Sequence, residues 1–476
     1  MHSAFKHALR AVEYNGNPGG TAYMNNKGLM TSGNIYKRII VFAIPLLLGN
    51  FFQLMYNTID SVIVGNYVGK EALAAVGASA PVVNLLIAFF QGLATGAGVI
   101  VSRYYGAKRH EEMSQAIHSF LLFAILFGLF LSVLGITMAP LFLRLMGTPA
   151  DVLPQADAYL QVYFAGNIFV TVYNSSTGIL QAVGDSRHPL YFLIVSSFLN
   201  IILDLVFVRY LRMGVAGAAW ATIVCQGIAM LMVIMVMMRT DGEYRLYLSK
   251  LRINFGILGE IVRIGIPAGV QGMVVSVSNV VVMSYINTFG SASIAGFSGA
   301  NKFDNFIGLP VNSFALAATT FCGQNLGAKE FERVRQGIRA ALLMSCATVI
   351  FMGVIVFANA PLCISMFSKD SEVIQAGARL IRIMCPCYIF LCFHQIFSSA
   401  LRASGHSSVP MATSILSFVV MRQIFLALAM PVWHDIALVG WCYSITWAAA
   451  AVLTGTYYFR SHWLQKEEAR AYSHRI

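Results

Sequence analysis

The sequence predicts an all-α polytopic membrane protein, with twelve transmembrane helices in two six-helix bundles related as parallel repeats. Three observations predict it. Hydrophobic residues make up 58% of the 476 and charged residues only 11%, whereas soluble domains carry roughly a quarter charged residues. Apolar stretches of about 20 residues, enough to cross a bilayer, follow one another to the end of the chain. The second half also repeats the first.

The repeat is read from short motifs. Gly106-Ala-Lys108 recurs as Gly327-Ala-Lys329, and LQAVGDSRHP from Leu180 recurs as LRASGHSSVP from Leu401, both 221 residues on. Pro45/Pro267, Asn57/Asn279 and Gly77/Gly299 are 222 apart. Six spans return the chain to its starting side, so the halves share one topology and an axis along the membrane normal.

Twelve spans are read, at roughly 39–66, 76–100, 116–143, 157–181, 189–211, 214–238, 258–288, 294–321, 336–361, 373–401, 409–431 and 436–460. Pro45, Pro189, Pro267 and Pro410 sit near span starts, where a missing N–H is least harmful, while Pro310 and Pro386 lie deeper and predict kinks. The domains expected are a polar, disordered tail over 1–34, an N-terminal bundle over 35–238, a linker over 239–257, a C-terminal bundle over 258–460 and a tail over 461–476. Met1, Met24 and Met30 are alternative starts.

Lys and Arg set the orientation. With the N-terminus inside, the inner segments hold most of them, from Lys37 and Arg38 through Arg103, Lys108, Arg109 and Arg187 to the linker's Arg239, Arg245, Lys250 and Arg252. The outer loops hold only Lys70, Arg144, Arg209, Arg212 and Lys369. A plasma-membrane protein with both termini cytoplasmic is expected, and nothing demands more than a monomer. The net charge of +12 does not point to nucleic acid, because it is spread over short loops rather than gathered in a basic domain. The eight Cys fall mostly inside apolar runs and act as small hydrophobes.

No P-loop, HExxH or GxSxG motif occurs, so neither ATP coupling nor an enzyme is predicted. The functional signal lies instead in Ile44–Gly69. Asn50, Gln53, Asn57 and Asp60 recur every three or four residues there, making one polar stripe on a helix. An ionisable group at that depth is costly and normally faces protein or a water-filled cavity. The fifth span adds Asn200 and Asp204, four apart on one face, and the sixth adds Thr222. Asp60, Asn200, Asp204 and Thr222 would form an oxygen cage for a hard cation. The same cage equally suits a proton, since two close carboxylates resist ionising together. No cofactor is expected beyond that sodium ion or proton.

The repeat sharpens this reading. Position 60 corresponds to Val282, Asn200 to Met421 and Asp204 to Phe425, so the second half lacks the acids. Gln53, Asn57, Asn279, Lys302 and Asp304 are candidates for a substrate cavity or gate. Lys302 and Asp304 are two apart and do not face each other along a helix, so each needs another partner. His394 and Arg422 read as isolated.

Together these stretches closely resemble the multidrug and toxic compound extrusion (MATE) transporters. The match rests on IPLLLGNFFQLMYNTIDSVIVGNYVG, TTFCGQNLGAK, LQAVGDSRHP and LRASGHSSVP, and covers about Ile35 to Arg460. The resemblance implies two six-helix lobes around a central cleft, and export of organic cations or amphiphiles in exchange for protons or sodium. It is closer to the DinF-like branch, whose first-helix Asp, fifth-helix Asn-x3-Asp and sixth-helix Thr are matched by Asp60, by Asn200 with Asp204, and by Thr222, with Asn174 matching a fourth-helix Asn. The NorM-like branch uses a seventh-helix acid. Here that helix offers Gln271, Ser276, Ser278 and Asn279, but no acid after Glu260. The alternative expectation is a lipid or lipid-linked sugar flippase of related architecture, which would favour a cationic cleft.

Overall fold

A computed structural model describes residues 29–433 and 435–473. Lipid offers backbone groups no partners, so spanning segments must satisfy them internally, as helices do. The first bundle comprises α1 (Ile35–Tyr67), α2 (Lys70–Gly106), α3 (His110–Leu145), α4 (Leu153–Ala165), α5 (Asn167–Ala182), α6 (Arg187–Asp204) and α7 (Gly214–Arg239). The second comprises α8 (Phe255–Ile286), α9 (Ser291–Gly327), α10 (Phe331–Ala358), α11 (Ala360–Ser365), α12 (Ser371–Met384), α13 (Tyr388–Ala403), α14 (Ser408–Ser414), α15 (Arg422–Ala429) and α16 (Ala437–Arg460). A last helix, α17 (Trp463–Ser473), follows. Side-chain caps mark several starts. Asn34 accepts from the Lys37 amide, Asn254 from Gly256 and Ile257, and Asp370 from Glu372.

Among the described residues, eleven helical segments are long and apolar enough to cross a membrane. The span read at 157–181 differs, because it is made of α4 and α5, which meet at Gly166. A side chain at Gly166 would overlap Ile223 of α7, so close packing requires glycine there. Of the deeper prolines, Pro310 lies within an uninterrupted α9, whereas Pro386 sits in a 3₁₀ turn, Cys385–Cys387, that separates α12 from α13. Pro45 and Pro267 lie inside α1 and α8.

The bundles interlock through their first helices. Ile39, Phe42 and Leu46 of α1 pack with Phe314 and Phe321 of α9 and Ile338 of α10. In mirror fashion, Ile257, Ile261 and Ile264 of α8 pack with Leu93 and Ala97 of α2 and Met113 and Ile117 of α3. Glycine lets the helices approach closely, as at many membrane interfaces. A Cβ on Gly92 would overlap the backbone of Gly269, and one on Gly106 would overlap the carbonyl of Gln324. This contact runs from the end of α2 back to its middle, where a Cβ on Gly272 would stand 3.1 Å from Ala88. At the start of α2 a Cβ on Gly77 would meet nothing within 4 Å. The bundles therefore meet where α2 and α9 finish and part towards where those helices begin.

Met30 and the last helix, α17, pack against the closed side. Of the tail expected over 1–34, residues 1–28 lie outside the described residues, while Met30 is buried and its amide donates to Gln324 Oε1 at 2.8 Å. In α17, Trp463 and Leu464 are buried in the cluster that also holds Met30 and Ile39.

Candidate functional site

Asp60 lies on the half of α1 beyond Pro45. α1 packs on α6, with Gly49 facing Leu190 and Leu193. That packing sets Asp60 beside Asp204, the last α-helical residue of α6, and their carboxyl groups lie within reach of a shared hydrogen bond. Asp204 is fully buried. A π-helical stretch, Leu205–Tyr210, begins immediately after it. Such widened turns frequently mark functional sites.

The neighbourhood is polar but underbonded. One oxygen of Asp60, both oxygens of Asp204, both amide atoms of Asn200, and polar atoms of Thr177 and Gln226 are buried without a hydrogen-bond partner among the described residues. Among the described residues no ion pair involves either acid. Buried polar groups in native proteins are nearly always satisfied, so a cluster of exceptions needs an explanation. An ionised carboxylate pair supplies acceptors only, so it calls for donors or a positive charge beside it.

A small cavity adjoins the acids. It is lined by Tyr56, Tyr173, Leu193, Ser196, Asn200, Thr222, Cys225, Gln226 and Ala229. Asn200 and Thr222 thus share one space. Tyr56 lies close to Asp60, and Tyr159 close to both acids. Asn174 is set apart from the cavity lining, with its amide donating to the Val170 carbonyl of its own helix at 2.8 Å. The tyrosines were missed by sequence reasoning, because an aromatic ring in a span reads as apolar packing.

The other candidates separate. Gln53 is half-buried and Asn57 exposed on α1. Lys302 is exposed, with its ammonium 5.5 Å from the Phe367 ring centre. Asp304 turns into the second bundle and accepts from the Tyr388 hydroxyl at 2.5 Å. His394 is buried between Thr454 Oγ1 at 2.9 Å and Ser414 Oγ at 3.2 Å, the packing role that a lone span histidine most often has. Arg422 is not isolated. It is buried, and its Nη1 donates to Asn279 Oδ1 at 2.8 Å.

Comparison with known proteins fits this duplicated scaffold. The MatE family model matches the chain twice, over residues 45–206 and 267–428. The chain belongs to the MatE family. MatE proteins are multi-pass membrane transporters, not enzymes. Two relatives from Bacillus subtilis (strain 168), the probable multidrug resistance proteins YoeA and YpnP, are each 30% identical to this chain. The YoeA match covers 80% of this chain and 84% of the relative, and the YpnP match 84% and 89%. Among solved structures, MATE in complex with MaL6 superposes with a TM-score of 0.87 at 23% identity, covering 92% of this chain and 98% of that one. An outward-facing multidrug resistance MATE family transporter of the MOP superfamily gives 0.86 at 24%, covering 92% and 99%. The two-bundle MatE fold is thereby established.

Proposed function

We propose that this MatE protein is a secondary multidrug exporter, passing organic cations or amphiphiles outward in exchange for protons or sodium. The observation that carries the reading is the carboxylate pair Asp60–Asp204 at membrane depth, beside a small cavity that Asn200 and Thr222 line, with no ion pair to either acid among the described residues. An intramembrane acid without a counter-charge is costly unless a transported cation offsets it. The names of the relatives, multidrug resistance proteins, supply the cargo class. Their names speak of drugs, and none of them favours the flippase alternative.

The coupling site is Asp60, Asn200, Asp204 and Thr222, with Asn174 as an outer neighbour, and lies wholly in the first bundle. This arrangement is DinF-like, since α8 contributes no acid after Glu260. Gln53, Asn57, Asn279 and Lys302 belong to the cleft or its gates. Asp304, bound to Tyr388, serves the second bundle's interior. Alternating access comes from rocking of the two bundles about the cleft. The Lys- and Arg-rich segments lie on the cytoplasmic side with both termini, so the contact near Gly106 and Gly327 closes the cleft inward. The working unit is a monomer in the plasma membrane.

The test uses protein in liposomes loaded with ethidium, with a proton gradient and a sodium gradient imposed separately. Dye movement under one gradient, lost in Asp60→Asn, is the expected result and names the ion. Dye movement that is unchanged in both Asp60→Asn and Asp204→Asn would overturn the coupling site.

A further inference from the structure

The repeat places Arg422 where the first bundle has its cavity. With the 221-residue offset, Arg422 corresponds to Ile201, next to Asn200. Its guanidinium carbon stands 4.4 Å from the ring centre of Tyr443, which corresponds to Thr222. Its Nη2 is 3.5 Å from Thr446 Oγ1, which corresponds to Cys225. Its Nη1 donates to Asn279, which corresponds to Asn57. The group also lies 5.5 Å from the Phe418 ring centre. Thus the guanidinium fills, in the second bundle, the place that corresponds to the cavity lined by Thr222 and Cys225 in the first. A π-helical stretch, Ile415–Met421, ends immediately before it, as one begins immediately after Asp204.

The charge logic is reversed between the halves. In the first bundle the acid pair, Asp204 buried and Asp60 half-buried, forms no ion pair among the described residues. In the second, a cation is buried and forms no ion pair among the described residues. Asp304 is the neighbouring acid, and it holds the Tyr388 hydroxyl instead. A cation over an aromatic face and hydrogen-bonded to an amide oxygen is well held even when desolvated.

We infer that Arg422 is a tethered stand-in for the transported cation, holding the second bundle permanently in its ion-loaded arrangement while only the first bundle switches. Arg422 is a positioning residue that acts through Asn279. Asn279 lies on the face of α8 that carries Gly265, Gly269 and Gly272, the residues packed on α2. The guanidinium therefore fixes the cleft wall of α8. On α1 the corresponding Asn57 makes no side-chain hydrogen bond to a described residue, so that wall is free to respond when an ion reaches Asp60. The inference rests on the coupling reading given above.

The experiment places a reporter cysteine on each wall, Thr58→Cys on α1 and Ser276→Cys on α8, and measures alkylation by a membrane-impermeant maleimide with and without the coupling ion. The ion is expected to change the α1 rate several-fold and leave the α8 rate unchanged. In Arg422→Ala, export is expected to fall about tenfold or more, as for loss of a charged hydrogen bond. Added methylguanidinium should then restore export and make the α8 rate respond, while Arg422→Lys retains part of both. An α8 rate that follows the ion as strongly as the α1 rate overturns the inference without needing any Arg422 variant. So does Arg422→Ala that exports and labels like the parent, or that loses export without methylguanidinium rescue. Failure of the coupling reading has a different signature, an ion response of Thr58→Cys that persists in Asp60→Asn.

Discussion

Gln324 Nε2 donates to the carbonyl of Ala182 at 2.9 Å, joining α9 of one bundle to the end of α5 in the other. The same side chain accepts from the Met30 amide. Arg103 makes the reciprocal link, its Nε donating to the Ala403 carbonyl at 2.8 Å. Opening this end must break both links. Gln324→Ala removes two hydrogen bonds worth about 1 kcal/mol each, and is expected to shift the protein towards the state open on this side. Spin-label distances between the ends of α2 and α9 should lengthen in a larger fraction of molecules, and an unchanged distribution would refute the gate.

Glycine 92 tests the same closure sterically. Gly92→Leu would drive a side chain into the backbone of Gly269. The variant should still insert, because the outer surfaces are untouched, but fail to close. Transport should be lost while the amount of folded protein recovered from membranes stays near that of the parent.

The Arg103–Glu467 salt bridge is a weaker brace. Arg103 Nη2 lies 3.9 Å from Glu467 Oε2, and both side chains are partly exposed. Pairs of this kind contribute about 0–1 kcal/mol. Glu467→Gln should therefore leave thermal stability and transport nearly unchanged, in contrast to Gln324→Ala. Equal effects of the two in a melting and transport comparison would contradict this ranking.

The Tyr388–Asp304 bond is structural in this account. Tyr388→Phe leaves a buried carboxylate short of its donor, at a cost of about 1–3 kcal/mol. A lowered melting temperature with an unaltered choice of coupling ion is the expected pair of results. A switch of ion would instead assign Asp304 to coupling.

Much of this was legible in the sequence, for identifiable reasons. Asp60, Asn200 and Asp204 stand out because polar residues at helical spacing are conspicuous in an apolar span, and the structure gathers the two acids beside the Asn200–Thr222 cavity. The twofold plan was readable because glycine and proline landmarks are fixed by backbone geometry and survive where side chains drift. Arg422 looked isolated because its partners, Asn279, Tyr443 and Thr446, lie on other helices, Asn279 143 residues away. Asp304 and Lys302, two apart in sequence, diverge because a helix turns them to different faces. The interlocking of α1 and α8 across the bundles was hidden too, since a uniformly apolar helix does not reveal which neighbour it prefers.

The break at Gly166 has a consequence for how the chain threads the bilayer. Eleven crossings, an odd number, would leave the two ends of the chain on opposite sides, and the second half would enter the membrane inverted relative to the first. Yet α1 and α8 both begin at the end of the molecule where α2 and α9 finish, which inverted halves could not do. The short pair α4–α5 must therefore be inserted as a single crossing, although neither piece is long enough to be recognised alone. A side chain larger than glycine at position 166 threatens more than local packing, because parting α4 from α7 puts at risk the parity on which the placement of every later helix depends.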